Sequence, residues 1–503
     1  MSNPLPTNPR FSDRSLLWSA IAAAFVARFG LLGAFPLMDP TESRYAEIAR
    51  QMFVLGDWVT PWIAPGVPFW GKPPLSFWMT AGSFELFGVG DFAARLPHWV
   101  GGVVVAWLAW GWLAGRSRRE ASLAVALLAG SLLFFVSAGA VMTDMALAIG
   151  LVAVMRGFWL ALHGSPQIRS REQLLMFAGF AIGLLAKGPI ALMGAAPIAI
   201  WALASRQPAR AWREIHWVAG GLAVLACVLP WYVMAEARTP GFLEYFIVGE
   251  HWRRFVDSGW QGDLYGHTHA FPRGTVWLFA ILAFLPWSVV LPVIAWRRRR
   301  AAAPVAAADR SLNGYLWAWA LVPCVAFTLS GNILWTYVLP AMPPLAMRAA
   351  MYLAGSPAER APERLVAAGI GVMTVVTLAV IAAFNLGDWD DHRSMKSIVA
   401  DYRSLTRGEP LLFFRQVPYS AAFYSGGTAQ VAREPGDLEA RLAEGPAYVV
   451  LRSRHRARLP VPLAARLHEI RQADEYALYV SGASAGHASR VAAKRASEAS
   501  ASR

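Results

Sequence analysis

Met38-Asp39-Pro40-Thr41-Glu42-Ser43-Arg44-Tyr45-Ala46-Glu47 follows directly on the apolar run Leu16 to Met38, which is long enough to cross a bilayer. Acids and an Arg therefore stand where the chain leaves the membrane. Charge at that depth is costly, so such groups mark a functional site whose partners lie elsewhere in the chain. The run exceeds a signal-peptide core and lacks a small-residue cleavage site, so it reads as a retained first span.

The 503 residues are 56% hydrophobic and only 16% charged, which excludes an ordinary soluble domain and fits a multi-span membrane protein. The net charge of +14 does not point to nucleic acid, because the basic residues cluster in short loops between apolar runs. Cys227 and Cys324 both lie inside apolar runs, without the spacing of a disulfide framework or a zinc site.

Apolar runs near 16–37, 96–115, 121–141, 145–163, 173–187, 189–204, 216–236, 274–296, 313–329, 334–354 and 365–386 predict about eleven transmembrane helices. Every second connection is basic: Arg116/Arg118/Arg119, Arg169/Arg171, Arg206/Arg210/Arg213, Arg297 to Arg300, and Arg360/Arg364. The positive-inside bias puts these loops and the N-terminus on the cytoplasmic side. Residues 38–95, the turn at Asp144, the junction at Lys187, residues 237–273, the turn at Asn332 and the C-terminal region then share the outer face.

Two long outer loops are rich in Trp, Pro and charge, and loops of that size are commonly functional. Tyr45, Ile48, Ala49 and Met52 repeat at helical spacing, which predicts an amphipathic helix along the membrane surface. Trp58, Trp62, Trp70 and Trp78 fit an interfacial aromatic belt, and Gly71-Lys72-Pro73-Pro74 breaks the chain before a second short helix, Leu75 to Phe87.

Three domains are expected: a membrane domain over 1–386, a small soluble α/β domain over 387–480, and a disordered Ala/Ser/Arg-rich tail over 481–503. Short apolar runs at Leu411 to Phe414, Tyr448 to Leu451 and Tyr476 to Val480 supply the strands of the second, with Asp437 to Ala443 helical. No fixed-period repeat is visible.

The outer-face residues each admit a plain structural role. Asp39-Pro40-Thr41-Glu42 reads as a helix-capping box, which accounts for the acids but not for Arg44 or Lys72. Lys72 and Lys187 oppose the positive-inside bias; each either snorkels or meets an anion, including a lipid phosphate. Asp144 can simply cap its helix. Gly249-Glu250-His251-Trp252-Arg253-Arg254-Phe255 and Asp263-Leu264-Tyr265-Gly266-His267-Thr268-His269 gather ionisable groups near the membrane plane. Carboxylate and imidazole are ordinary metal ligands, but no recognised metal-binding spacing appears, and interfacial hydrogen bonding is the plain reading.

Taken together, Asp39 to Arg50, Gly56-Asp57-Trp58, Gly71-Lys72-Pro73-Pro74, Met142-Thr143-Asp144, Ala186-Lys187-Gly188-Pro189, Gly249 to Phe255 and Thr336-Tyr337-Val338-Leu339-Pro340 resemble polyprenyl-phosphate-sugar glycosyltransferases of the GT-C fold. The branch resembled is that of the lipid A aminoarabinose transferases, related to protein O-mannosyltransferases. The resemblance spans roughly residues 10 to 355.

It implies an α-helical multi-pass membrane protein of the bacterial cytoplasmic (inner) membrane, GT-C type, with interfacial helices and a periplasmic C-terminal α/β domain. It implies transfer of a sugar from a polyprenyl (undecaprenyl) phosphate donor to lipid A, another glycolipid, a glycan or a protein at the outer face. By position, Glu42 and Asp39 are the candidate catalytic carboxylates, and Arg44, Lys72, Lys187 and Tyr337 the candidate donor-phosphate ligands. Tyr45, Asp144, His251, Arg254 and Tyr265 are secondary pocket candidates. Two departures stand out: Thr41 replaces an Asp of the family's acidic pair, and Gly71 replaces a Glu proposed in the aminoarabinose branch to hold a metal with the later loop's His.

An inverting displacement with the polyprenyl phosphate as leaving group follows, with a carboxylate taking the proton of a hydroxyl acceptor. A monophosphate carries at most about two negative charges near pH 7, which Arg44 with Lys72 or Lys187 can match without a metal. No cofactor is therefore required, although a divalent ion is compatible with the ligand types. The rival classes are a transporter or flippase of lipid-linked sugars, which would need inverted repeats or midplane broken helices, and a non-catalytic sugar-binding component.

Overall fold

The computed structural model describes residues 12–257, 260–266, 271–297, 307–355, 362–386 and 393–482. His267, His269, Arg298 to Arg300, Arg360, the 386/387 boundary and the tail from residue 483 lie outside the described residues. The chain divides into two compact units, residues 1–33 with 51–378, and residues 34–50 with 379–503.

The first unit is helical. Among the described residues five helices are long and apolar enough to cross a membrane: Asp91–Ala114, Asp144–His163, Pro166–Ala204, Trp217–Arg238 and Pro362–Ala383. A sixth span is made if Thr275–Ala283 and Trp287–Arg297, bent by 83° at their junction, are taken together. The chain is thus a multi-pass membrane protein, with fewer uninterrupted spans among the described residues than its apolar runs predict.

The shortfall has a local cause, because several runs are broken. Residues 121–141 form Arg118–Ala129 and Leu132–Ser137. At the break a Cβ on Gly130 would lie 2.8 Å from the Trp287 ring, and the Trp287 indole donates to the Leu127 carbonyl at 2.7 Å. Residues 334–354 form a 3₁₀ turn, Trp335–Ala341, followed by Met342–Ala354. Spans that face lipid show it directly: Val218, Leu222, Leu225, Leu229 and Val233 are exposed at helical spacing along Trp217–Arg238.

The element that most directly positions the site is the hairpin of Asp144–His163 and Pro166–Lys187. A Cβ on Gly150 would sit 2.6 Å from the Gly179 carbonyl oxygen, and one on Gly157 would sit 2.5 Å from that of Glu172. Small residues are what allow backbones to meet so closely in a membrane bundle. Buried between the same helices, Arg156 pairs with Glu172 at 3.0 Å and donates to the Leu108 carbonyl at 3.2 Å. In the first helix, Asp13–Gly30, buried Arg28 donates to the carbonyls of Phe135 and Val136. Both guanidiniums thereby find hydrogen-bond partners inside apolar surroundings.

The second unit carries a five-stranded sheet of β3 (Leu411–Phe414), β4 (Gln430–Ala432), β5 (Tyr448–Arg452), β6 (Leu467–Ala473) and β7 (Tyr476–Ser481), while β1 (Trp62–Ala64) and β2 (Val67–Pro68) form a separate hairpin in the first unit. Its order is β4-β3-β5-β7-β6; β3 runs parallel to β4 and β5, and β7 antiparallel to β5 and β6. Successive side chains alternate between two cores. Leu411, Phe413, Tyr448, Val450, Leu478 and Val480 pack with helix Lys396–Leu405 on one face. Leu412, Phe414, Val449, Leu451, Ala477 and Tyr479 pack with helix Pro435–Glu444 on the other. Cover on both faces is why these strands are continuously apolar.

Candidate functional site

In the first unit a cavity of about 90 Å³ is lined by the ionisable side chains of Lys72, Asp144, Lys187, Glu250, His251 and Arg254. Apolar residues, among them Leu147, Ile190, Met193, Phe255 and Phe327, complete its wall. Tyr337 and Thr336 also line it.

Helix geometry brings Asp144 and Lys187 here. They are the first and last residues of the two arms of the antiparallel hairpin, so they share one end of it, with Lys187 Nζ 2.7 Å from Asp144 Oδ1. An acid at a helix N-terminus and a base at a C-terminus both suit the helix dipole. Gly188, at φ +76°, ends the second arm, and a Cβ there would lie 2.5 Å from the Phe246 ring. The lysine ammonium sits 4.7 Å from the centre of the Tyr337 ring, a cation–π contact.

The second cluster comes from a π-helical segment, Glu244–Arg253, continued by Arg254. Such wide turns are often found at functional sites. Glu250 accepts from Lys72 Nζ at 3.2 Å and from Arg254 at 3.0 and 3.1 Å, while Arg254 also pairs with Asp263 at 3.3 Å. Tyr245 donates its hydroxyl to Glu250 at 3.3 Å. Tyr265 donates to the Pro68 carbonyl and accepts from Trp70 N–H, and its ring lies 5.8 Å from that of Tyr245.

Burial of Glu250 opposes its ionisation, but Lys72 and Arg254 outweigh burial and hold the carboxyl below its usual range. His251 is pushed the other way from a charged ring: burial lowers its pKa, Lys72 adds to this, and the carbonyls of Phe246 (2.8 Å) and Lys187 (3.2 Å) only partly compensate. His251 is thus a buried, backbone-anchored imidazole whose surroundings disfavour its charged form.

Both of its ring nitrogens already face carbonyls, which leaves poor geometry for a metal. Among the described residues no group of three or more His, Cys, Asp or Glu converges as a metal site. Nor does Gly71 leave room for a ligand without rearrangement, since a Cβ there would be 2.7 Å from the Phe69 ring.

The structure therefore gathers Lys72, Lys187, Tyr337, Asp144, His251 and Arg254 about one cavity, with Tyr265 in contact with its supporting shell. Glu250 and Asp263 join them, two acids whose role the sequence motifs alone do not reveal. The i,i+4 spacing of Glu250 and Arg254 was the available signal. Two buried polar groups at the cavity, Arg254 Nε and Thr336 Oγ1, have no hydrogen-bond partner among the described residues, so the site retains donors for a ligand.

Asp39, Glu42, Arg44 and Tyr45 belong to the second unit. The capping box forms in a shifted register: the Glu42 carboxylate accepts from Met38 N–H at 3.3 Å, four residues back. Asp39 accepts instead from the Ser43 hydroxyl at 2.5 Å, from Ser420 N–H at 3.0 Å and from the Ser420 hydroxyl. Burial raises the Asp39 pKa above the ordinary carboxylate value, with those hydrogen bonds acting against it. Arg44 lies 5.3 Å from the ring centre of Tyr45 and 5.7 Å from that of Tyr419. Asp39 also edges a groove of about 740 Å³ within this unit, shared with Arg393, Tyr419, Arg452, Glu475 and Tyr476.

Residues 21–246 match the family model of dolichyl-phosphate-mannose-protein mannosyltransferases. The undecaprenyl phosphate-alpha-4-amino-4-deoxy-L-arabinose arabinosyl transferase of Edwardsiella ictaluri is 30% identical over 350 residues, 67% of this chain and 59% of that protein. The enzyme of the same name from Pseudomonas aeruginosa is 32% identical over 354 residues, again 67% and 59%. The matched region thus spans less than two thirds of the length of these relatives. The crystal structure of ArnT from Cupriavidus metallidurans bound to undecaprenyl phosphate superposes with a TM-score of 0.75 at 21% identity, covering 94% of this chain and 99% of that one. The apo form gives 0.72 at 20% identity, covering 93% and 98%. This chain is a GT-C-fold membrane protein that resembles the polyprenyl-phosphate-sugar-dependent glycosyltransferases, and among them the lipid A aminoarabinose transferases.

Proposed function

We propose that the protein transfers a sugar from a polyprenyl phosphate, of the undecaprenyl type named in its relatives, to an acceptor at the outer face of the bacterial inner membrane. The observation that carries this reading is the make-up of the first unit's cavity. Three cations, Lys72, Lys187 and Arg254, stand beside an apolar wall, which suits a ligand with a phosphate head and a hydrocarbon chain. Each cation already has a carboxylate partner, so they are held in place before any ligand arrives.

In this reading Lys72 and Lys187 neutralise the charge that develops on the leaving phosphate as the glycosidic C–O bond breaks, with Tyr337 and Arg254 completing the pocket. Lys72 and Lys187 differ from a metal in being fixed by the chain. Arg44 is assigned to the donor phosphate, and Asp39 or Glu42 to the proton of a hydroxyl acceptor, on the strength of the motif's resemblance. The raised pKa of Asp39 supports it as the proton acceptor of the two, while Glu42 is committed to Met38 N–H. If the acceptor is a phosphate, no base is needed and the carboxylates position substrate.

The basic inner loops support an orientation with the N-terminus cytoplasmic and the sheet-bearing unit periplasmic. Lipid A is the acceptor that the motif resemblance implies, and other glycolipids, glycans and protein hydroxyls are served by the same reaction. The deciding experiment supplies labelled polyprenyl-phosphate sugar to the reconstituted protein. Labelled acceptor with release of polyprenyl phosphate supports transfer; passage of intact donor across the bilayer without product overturns it in favour of a flippase.

A further inference from the structure

Glu250 touches the groups that a donor phosphate would need. Its two carboxylate oxygens accept from Lys72 at 3.2 Å and from Arg254 at 3.0 and 3.1 Å, and its side chain is only 6% exposed. A carboxylate and a phosphate present similar pairs of anionic oxygens to a lysine and an arginine. Two anions cannot both take the same ammonium and guanidinium hydrogens, and placed together in a poorly hydrated cavity they repel.

We propose that Glu250 is a displaceable counter-anion: it holds Lys72 and Arg254 while the cavity is empty, yields them to the entering donor phosphate, and takes them back to help expel polyprenyl phosphate. This rests on the reading of the cavity as the donor-phosphate site. Without such a residue, cations selected to hold a leaving phosphate would hold the product as tightly. Lys187 differs, since its partner Asp144 is fixed at a helix start. Arg254 keeps a second carboxylate, Asp263, at 3.3 Å when Glu250 withdraws, so the guanidinium stays oriented.

The hydroxyl of Tyr245, 3.3 Å from Glu250, steadies the paired position. Its ring packs against Trp70, Trp260 and Tyr265, so removal of the oxygen alone leaves the aromatic contacts in place.

The test is direct binding of undecaprenyl phosphate to the full-length protein in nanodiscs, with steady-state transfer as a second readout. Glu250→Gln keeps the shape and removes the competing charge. It is expected to bind undecaprenyl phosphate roughly tenfold more tightly, and to lower kcat more than kcat/KM because product leaves slowly. Tyr245→Phe, the milder change, is expected to tighten binding by about twofold to threefold. Unchanged or weaker binding in both variants overturns the proposal, because a residue that merely clamps the cations would cost affinity when neutralised. Failure of the wild-type protein to bind undecaprenyl phosphate at all instead overturns the donor-site reading itself.

Discussion

Asp144 and Lys187 lie 43 residues apart in the chain, yet their side chains meet at 2.7 Å because one opens and the other closes a single antiparallel hairpin. The pair is largely buried, and such a pair is costly to halve. Asp144→Asn should lower unfolding stability by up to about 3–5 kcal/mol, read as a fall in thermal midpoint in detergent. Lys187→Met alone should cost a comparable amount by stranding Asp144. The double variant Asp144→Asn with Lys187→Met should recover much of the stability, because no charge is left unpaired. It should not recover transfer, since the cation proposed to face the leaving phosphate is gone.

Lys72 is the cation of the first loop that the cavity places beside Glu250 and Arg254. Lys72→Ala, checked for normal expression and thermal midpoint, is expected to cut transfer by on the order of 10²–10³-fold, the loss typical of one preorganised group that stabilises developing charge. Arg44→Ala should produce a loss of similar size. Wild-type rates in both variants would remove these residues from the donor-phosphate assignment.

Much of this was legible because membrane physics writes itself into composition. Lys72 and Lys187 stood out by breaking the positive-inside bias, and both line the cavity. The strands at 411–414, 448–451 and 476–480 were visible as short apolar runs, because both faces of the sheet are covered. What was hidden depended on partners far away in sequence. A hydropathy window sees the run 121–141 as one span, but at the break Gly130 packs against Trp287, some 157 residues on. Glu250 looked like one charge among several until the π-helical segment set it between Lys72 and Arg254. Asp39 read as a cap because spacing alone could not reveal Ser420 as its partner.

Arg156 and Glu172 make the clearest structural charge pair within the hairpin, with both side chains at most one-tenth exposed and contacts of 3.0 and 3.3 Å. They do not line the cavity, so the expected effect of Glu172→Gln is on folding: a loss of about 3–5 kcal/mol, with kcat of the surviving folded protein unchanged. Replacing both residues with apolar side chains of similar volume should be tolerated far better than either single change. A fall in kcat without a fall in thermal midpoint would contradict this purely structural role.

Asp39 supplies a prediction in which the sign of a pH effect matters. Burial raises its pKa in the folded protein above the ordinary carboxylate value of 3.8. In the interval between the unfolded and the folded pKa the native state binds more protons, so the Asp39 contribution to stability falls as pH rises through that interval and is constant above it. Asp39→Asn removes the titration. The difference in stability, wild type minus variant, should therefore be most favourable to wild type at pH values near and below 4 and decline towards neutrality, as measured by thermal unfolding across the acidic range. An Asn side chain can keep the contacts in which an Asp39 oxygen accepts from Ser43 and Ser420 N–H, so the sheet-bearing unit should remain folded. With a hydroxyl acceptor, Asp39→Asn should lose transfer by about 10²–10⁴-fold, the range expected for removal of a positioned base. If the variant retains full transfer to a hydroxyl acceptor, Asp39 is a structural acid of the second unit, and the proton is taken elsewhere.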